Sequence, residues 1–287
     1  MLRHFSSNLK NSSRPAPAAV TSFQHDHAAG PEKLTQDSLR LLTYNMQVGI
    51  NSRSFRHYLT RSWQHLLPHP GRIDNLDSIA AMLSGFDVVA LQEADGGSIR
   101  SGHLNQVQYL AEMAGFPYWY QQLNRNLGKL AQHSNGVLSR VRPEIIEDHK
   151  LPGLVPGRGA IFMRFGSEKE SLIFVVLHLS LGRRAQLDQL AYIKELISDY
   201  KHVVIMGDLN SRSEQILQLS PLSDVKLQCP EGTYNTYPSW RPVANLDHIL
   251  VSSSLCIKSA EVVSYALSDH LPVAVEIGLP GQISPLH

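Results

Sequence analysis

Cysteine is almost missing from this chain: two thiols, Cys229 and Cys256, occur in 287 residues. Two cysteines cannot build a disulfide framework, and neither stands in a Cys-x-x-Cys or Cys/His zinc spacing, so free thiols in a reducing, cytoplasmic setting are expected. Long apolar runs are missing as well. The longest, residues 172–177 and 202–206, are far too short to cross a bilayer, and no transmembrane segment is expected. Neither sign of charge is in excess: 26 basic residues against 25 acidic ones leave a formal net charge of +1. That balance argues against a protein whose main task is coating nucleic acid, although a local basic patch stays open. No internal repeat is visible. What remains, 43% hydrophobic and 18% charged residues, is the composition of an ordinary globular enzyme long enough for one large domain, and a monomer is expected.

Residues 1–37 differ from the rest. Ser12-Ser13-Arg14-Pro15-Ala16-Pro17 is small and polar with no periodic apolar face, which reads as a disordered tail. Arg3, Lys10 and Arg14 precede the first acid, Asp26, a composition shared with organellar transit peptides, and a plain flexible tail is the preferred reading. From Leu39 onward strand-like and helix-like segments alternate. Strands are expected over 40–45, 87–92, 136–139, 160–165, 172–177, 202–206, 247–252, 261–264 and 272–277. Helices are expected where Ile73, Leu76, Ile79, Ala80 and Leu83 recur, over 104–114 before Gly115, and over 187–197 with Asp188 and Glu195 facing out. The pattern is that of one α/β domain with mixed sheets and outer helices.

Five apolar strands each run into a hydrogen-bonding or ionisable residue. They lead to Asn45, to Glu93, to His178, to Asp208-Leu209-Asn210, and, before the last strand, to Ser268-Asp269-His270. A single strand-end acid is most often a cap or turn residue. A group of them needs a cation or each other, because an unpaired buried carboxylate is costly. Asn45, Glu93, Asp208 and Asp269 offer oxygen only, which suits Mg²⁺ or Mn²⁺ rather than zinc.

In order along the chain, Thr43-Tyr44-Asn45, Leu91-Gln92-Glu93, Asn135-Gly136-Val137-Leu138-Ser139, His178-Leu179-Ser180, Gly207-Asp208-Leu209-Asn210, Leu246-Asp247-His248-Ile249-Leu250 and Ser268-Asp269-His270 resemble the endonuclease/exonuclease/phosphatase superfamily with its DNase-like fold. The resemblance implies a four-layer α/β/β/α sandwich, two mixed β-sheets packed face to face with outer helices. It implies a catalytic domain over 38–280, with 281–287 a C-terminal tail, and Mg²⁺ (or Mn²⁺)-dependent hydrolysis of a phosphate ester. Carried over residue by residue, Asn45, Glu93 and Asp269 look like metal-site residues, and His270 like the histidine beside the scissile phosphate with Asp247 as its carboxylate partner. Asp208 would orient or deprotonate the attacking water, Asn210 and His178 would donate to phosphoryl oxygens, and which of Asp208 and His270 is the base stays open.

Other residues are weighed beside these. Asn135 reads as lining the site. Arg158, and Arg183-Arg184, could touch substrate phosphate, though a solvated charge is the commoner role. His248 points to the opposite face from Asp247 by strand alternation, and Asp95 reads as loop chemistry. Residues 237–242 are either an aromatic rim or a packed corner. An insertion over 51–69 mixes Arg53, Arg56, His57 and Arg61 with Phe55, Tyr58 and Trp63, fit for capping a site or stacking on bases, while a bland surface loop is the commoner outcome. Near-neutral charge places a small-molecule or lipid headgroup slightly ahead of nucleic acid as substrate, with a nuclease as the alternative. A non-catalytic binding module is the alternative of another class, and it has no need of so complete a set.

Overall fold

The computed structural model describes residues 19–20, 37–47, 71–98, 101–126, 132–153, 157–166 and 171–280. Its elements are β1 (Ala19–Val20), β2 (Ser38–Asn45), α1 (Gly71–Leu83), β3 (Val88–Asp95), α2 (Gln106–Ala114), β4 (Tyr118–Asn126), β5 (Gln132–Ser139), β6 (Ile145–Lys150) and β7 (Gly159–Phe165). They continue as β8 (Leu172–His178), α3 (Arg183–Ile197), β9 (His202–Asp208), α4 (Ser213–Leu217), β10 (Leu227–Gln228), β11 (Asp247–Ser252), β12 (Cys256–Val262) and β13 (Val273–Gly278).

The central strands are apolar on both faces, so both faces must be covered. Along β2, Leu39 and Leu41 face the other sheet, whereas Leu42 and Tyr44 pack under Leu76, Ile79 and Leu83 of α1 and Leu110 of α2. Along β8, Phe174 and Val176 face that same central layer, while Ile173 and Val175 pack under Leu190 and Ile193 of α3. Two sheets therefore lie back to back, each with helices on its outer side. One has the order β1-β6-β7-β8-β9-β11-β10 and the other β12-β13-β2-β3-β5-β4. Each is mixed: β8 runs parallel to β9 and β2 parallel to β3, and every other pairing is antiparallel. This is the four-layer sandwich expected from the sequence. The parallel pairs matter most, because they bring the C-terminal ends of β2, β3, β8 and β9 to one end of the molecule.

Several local expectations differ from what is found. Helix α2 begins at Gln106, since the Asn105 side chain accepts the Gln108 N–H at 3.1 Å and caps it there. Helix α3 starts at Arg183 rather than 187, and Ile73 on α1 is 54% exposed rather than part of the core face. The last edge strand runs Cys256–Val262, not 261–264; its polar alternation and a register shift near Ile257 hide it from an apolar pattern. Strands β4 and β6, also unexpected, carry sequences such as Ile145-Ile146-Glu147-Asp148-His149-Lys150 that are too polar to read as strands. Ala19 and Val20, within the segment expected to be a tail, pair with Asp148 and Glu147 of β6. The remaining tail residues and the insertion at 51–69 lie outside the described residues.

Candidate active site

The strand rows that line the central layer do not stop where the apolar residues stop. Side chains alternate with a period of two, so the residue two beyond the last inward apolar one also faces inward. Leu41 and Thr43 are followed by Asn45, Phe174 and Val176 by His178, and Val204 and Met206 by Asp208. In the antiparallel strands the row is read backwards: Ile249 is preceded by Asp247, and Val137 by Asn135. His248 falls on the opposite row, where its Nε2 bonds the Ser211 carbonyl at 2.8 Å, away from the cluster. The site is thus the polar end of the inter-sheet layer.

Register fixes the neighbours. Asp208 stands directly opposite His178 on the parallel side and directly opposite Asp247 on the antiparallel side. Across the sandwich, Asn45 Nδ2 donates to Asp208 Oδ2 at 3.0 Å, while the Gln47 N–H holds Asn45 Oδ1 at 3.2 Å. The Asn210 N–H donates to Asp208 Oδ1 at 2.9 Å, with Asn210 in a left-handed conformation (φ 46°) that asparagine tolerates. Gly207 is required one step earlier. Its φ is 147°, and a Cβ there would sit 1.8 Å from the Leu177 carbonyl oxygen, so only glycine lets β9 approach β8 at this point.

His270 arrives from the loop before β13. Its Nδ1–H donates to Asp247 Oδ2 at 2.7 Å, and its Nε2 lies 4.0 Å from Asp208 Oδ2, while His178 Nε2 lies 3.4 Å from that same oxygen. Burial opposes the charged form of His270, but Asp247, with Asp208 and Asp269 behind it, wins and pushes its pKa up to about 10. His178 goes the other way. Burial first, then the positive charges of Arg158, His270 and His133, holds its pKa well below the usual range, so it is a neutral imidazole. Asp208 is 2% exposed; burial and the Asp247 charge raise its pKa to about 7 against the opposing pull of His270 and its hydrogen bonds to Asn210 and Asn45.

Glu93 and Asp269 complete the set. Glu93 sits at a bulge in β3 with φ 57°, and the turn after it is pinned by Asp95, which accepts from the Gly97 and Ser98 N–H groups and both serine hydroxyls, Ser98 and Ser101. Asp95 is therefore loop chemistry, as expected. Burial raises the Asp269 pKa, His270 opposes this, and the nearby Glu93 charge adds to it. Among the described residues neither carboxylate has a cationic side chain at ion-pair distance.

Thr236 and Gln186 escaped the sequence reading, and residues 237–242, expected as a rim or a packed corner, prove to be the corner. Thr236, fully buried, donates its hydroxyl to Asp247 Oδ2 at 2.5 Å, and the Tyr237 ring lies 4.9 Å from the His270 ring. With Ser239, whose N–H and hydroxyl hold the Asp269 and Ser268 carbonyls, they make residues 236–244 a packed corner under the histidine loop. Gln186 of α3 holds the Ser180 and Asn210 carbonyls at 2.8 Å. Contacts of this kind, to the backbone of distant segments, have no spacing signature.

Beside the cluster opens a cleft of about 1190 Å³, lined among others by Glu93, Asn135, Arg158, His178 and Arg184. Asn135 Nδ2 is turned to the Gly159 carbonyl at 3.1 Å, which ties β5 to β7 along the cleft wall. Of the residues above, Glu93 and His178 are among its lining, whereas Asp208, Asp247 and His270 are not.

The model of the endonuclease/exonuclease/phosphatase family matches residues 42–270, which takes in every residue of the cluster. The chain belongs to this family. Its members are hydrolases of phosphate esters, in general with a divalent metal. Among solved structures, an endonuclease/exonuclease/phosphatase from Beutenbergia cavernae superposes with a TM-score of 0.64 at 20% identity, covering 84% of this chain and 72% of that one. A mannosyl-6-phosphatase of Bacteroides thetaiotaomicron gives 0.60 at 18%, covering 83% and 99%. TDP2 of D. rerio, complexed with a single-strand DNA product, gives 0.59 at 14%, covering 85% and 100%. No curated protein matches the chain at a significant level. At these identities the family members share the fold with this chain, and their substrates are their own.

Proposed function

We propose that the chain hydrolyses a phosphate ester by in-line attack of water, with a divalent cation held by Asn45, Glu93 and Asp269. The observation that carries this reading is Asp208: a buried carboxylate between two imidazoles, bonded across the sandwich by Asn45 and backed by Asp247. Family membership supports the reaction class.

The donor set fits the cation. Glu93 and Asp269 are like charges close enough for one to raise the proton affinity of the other, and both are hard oxygen donors, as Mg²⁺ or Mn²⁺ prefers. Among the described residues, the acids and histidine whose ligand atoms lie within 4.8 Å of one another are a different trio, Asp208, Asp247 and His270. There, however, His270 Nδ1 and Asp247 Oδ2 are already bonded to each other and Thr236 holds the same oxygen, so the trio is an acid–base device rather than an ion cage. When bound, the cation neutralises charge on the non-bridging phosphoryl oxygens.

The remaining roles belong to the chain. Asp208, with a pKa near 7, ionises at neutral pH and takes the proton of the attacking water, and Asn45 and Asn210 hold it in place. His270, held charged by Asp247, donates from Nε2 to a phosphoryl oxygen. Neutral His178 and the second hydrogen of Asn210 Nδ2, whose first goes to the Leu179 carbonyl, donate to the others. Asn135 and Arg158 line the substrate's side of the cluster. A cleft of about 1190 Å³ suits a compact phosphate ester, and the likeness to a mannosyl-6-phosphatase agrees with it; the likeness to TDP2 leaves a nuclease as the second reading.

The test uses bis-p-nitrophenyl phosphate. Turnover is expected with Mg²⁺ or Mn²⁺ and is abolished by EDTA, and His270→Ala lowers kcat by roughly 10²–10⁴-fold with the fold intact by circular dichroism. Activity that survives chelation removes the cation from the mechanism, and a His270→Ala variant with near-normal kcat removes the histidine.

A further inference from the structure

The cleft is larger than a single phosphate needs, and its outer half, away from Glu93 and His178, carries arginines to which the hydrolytic step assigns no role. At the inner end stand Glu93 and His178, beside the reacting centre. At the outer end, where the chain leaves β8 and enters α3, stand the exposed Arg183 and Arg184, and Arg158 lines the same cleft, close enough for its charge to depress the proton affinity of His178. Arg183 is occupied: its Nη2 donates to the Leu219 carbonyl at 2.5 Å. Arg184 is not. Among the described residues its guanidinium makes no hydrogen bond or ion pair, and Asp188, one turn further along α3 and also lining the cleft, is not paired with it. The chain as a whole carries only +1, so three guanidinium groups along one cleft are a local concentration rather than a share of a general excess. Leu181, 78% exposed, lines the same cleft and offers it an apolar contact.

We propose that the outer half of this cleft binds a second phosphate group, so that the substrate is a compact molecule phosphorylated at two positions, one phosphate reacting beside His178 and the other held by Arg184 with Arg158. This rests on the phosphoesterase reading for the inner end only. Guanidinium forks match a phosphate dianion in geometry and charge, whereas one carboxylate would leave the arginines undercompensated. A volume of about 1190 Å³ accommodates a small molecule carrying two charged ends. A nucleic acid strand also carries successive phosphates, but it would need a basic track continuing past the cleft, which a nearly neutral chain does not readily supply.

Alkane-α,ω-bisphosphonates of increasing chain length, compared with the matching monophosphonates, test this, because their carbon–phosphorus bonds are not phosphate esters and binding is read without turnover. Isothermal titration calorimetry of the full chain in Mg²⁺ is expected to show one spacing bound about tenfold more tightly than its monophosphonate. Arg184→Ala, an exposed first-turn position where alanine favours the helix, is expected to reduce that advantage to about twofold or less. Arg142→Ala, an exposed arginine outside the cleft, controls for net charge and keeps the full advantage. The proposal is overturned if no bisphosphonate outbinds its monophosphonate, or if the advantage survives Arg184→Ala. It is also overturned if a short single-stranded oligonucleotide outbinds the best bisphosphonate with the same dependence on Arg184. Failure of the phosphoesterase reading shows separately, as absent turnover of bis-p-nitrophenyl phosphate with the binding advantage intact.

Discussion

One oxygen of Asp247, Oδ2, accepts from both His270 Nδ1 and the Thr236 hydroxyl, while Oδ1 is buried with no hydrogen-bond partner. A carboxylate in that position stays tolerable because a positive imidazolium faces it, and the same pairing makes fold stability depend on pH. The folded-state pKa of His270, about 10, lies above the ordinary imidazole value of about 6.5, so the stability it contributes is complete below pH 6.5 and is lost as pH rises towards 10. Asp208, held near 7, weighs against the fold as pH rises from its ordinary carboxyl value to about 7 and adds no slope beyond that. A window from pH 7.5 to about 9 therefore isolates the histidine from Asp208 below it and from the Cys229 thiol above it, whose pKa burial raises from its ordinary value of 9.0. In wild type the thermal midpoint should fall across this window. Asp247→Asn should lower stability by about 3 kcal/mol near pH 7 and flatten the slope, because the partner that holds the proton is gone. Midpoints recorded by circular dichroism across the window decide it; an unchanged slope in the variant means that another group titrates there.

At the scale of elements, Arg140 does what no strand or helix does alone. It follows β5 and donates from Nε to the Phe86 carbonyl at 2.9 Å, from Nη2 to Ser84 at 2.8 Å and Ala114 at 3.2 Å, and from Nη1 to Gly115 at 3.0 Å. Its carbons and charge also lie over the Phe116 ring at 4.6 Å. These carbonyls belong to the ends of α1 and α2, so one cation closes both helix C-termini against the sheet. Arg140→Ala should cost about 2–3 kcal/mol in urea unfolding, and Arg140→Lys should recover only part of it, since one ammonium cannot span both helix ends. Full recovery by lysine would mean that charge alone matters. Nothing in the sequence marks Arg140 for this work, and the reason is general to the fold. What periodicity made legible was the apolar strands that run into Asn45, His178 and Asp208 and an α/β domain with mixed sheets and outer helices; the four-layer sandwich came from the family resemblance. The family resemblance, not periodicity, supplied the pairing of Asp247 with His270. Edge strands such as β12 stayed hidden because solvent on one side removes the apolar signal, and Thr236 and Gln186 because they bond the side chain or backbone of remote segments.

Across the whole molecule the two sheets bring different chemistry to the same end. One carries Asn45 and Glu93, with Asp269 and His270 on the loop entering its strand β13; the other carries His178, Asp208 and Asp247. The bonds from Asn45 to Asp208, from His270 to Asp247 and from Asn135 to the Gly159 carbonyl are polar ties between the two sheets at that end. Glu93 and Asp269 are like charges there, each disfavouring the other's ionisation, and under the proposed metal site a cation would relieve that repulsion. Two effects of opposite sign follow. Mg²⁺ should raise the thermal midpoint of wild type, by about 1.4 kcal/mol in stability at ten times the dissociation constant. Glu93→Gln should raise the metal-free midpoint slightly, by about 0.5–1 kcal/mol, because one of two like charges is gone, and should abolish both the response to Mg²⁺ and turnover. Differential scanning calorimetry of both proteins, with Mg²⁺ and with EDTA, separates the cases. A wild type indifferent to Mg²⁺ beside a Glu93→Gln variant less stable than it would show that Glu93 holds the fold together rather than a metal, and the oxygen set would lose its purpose.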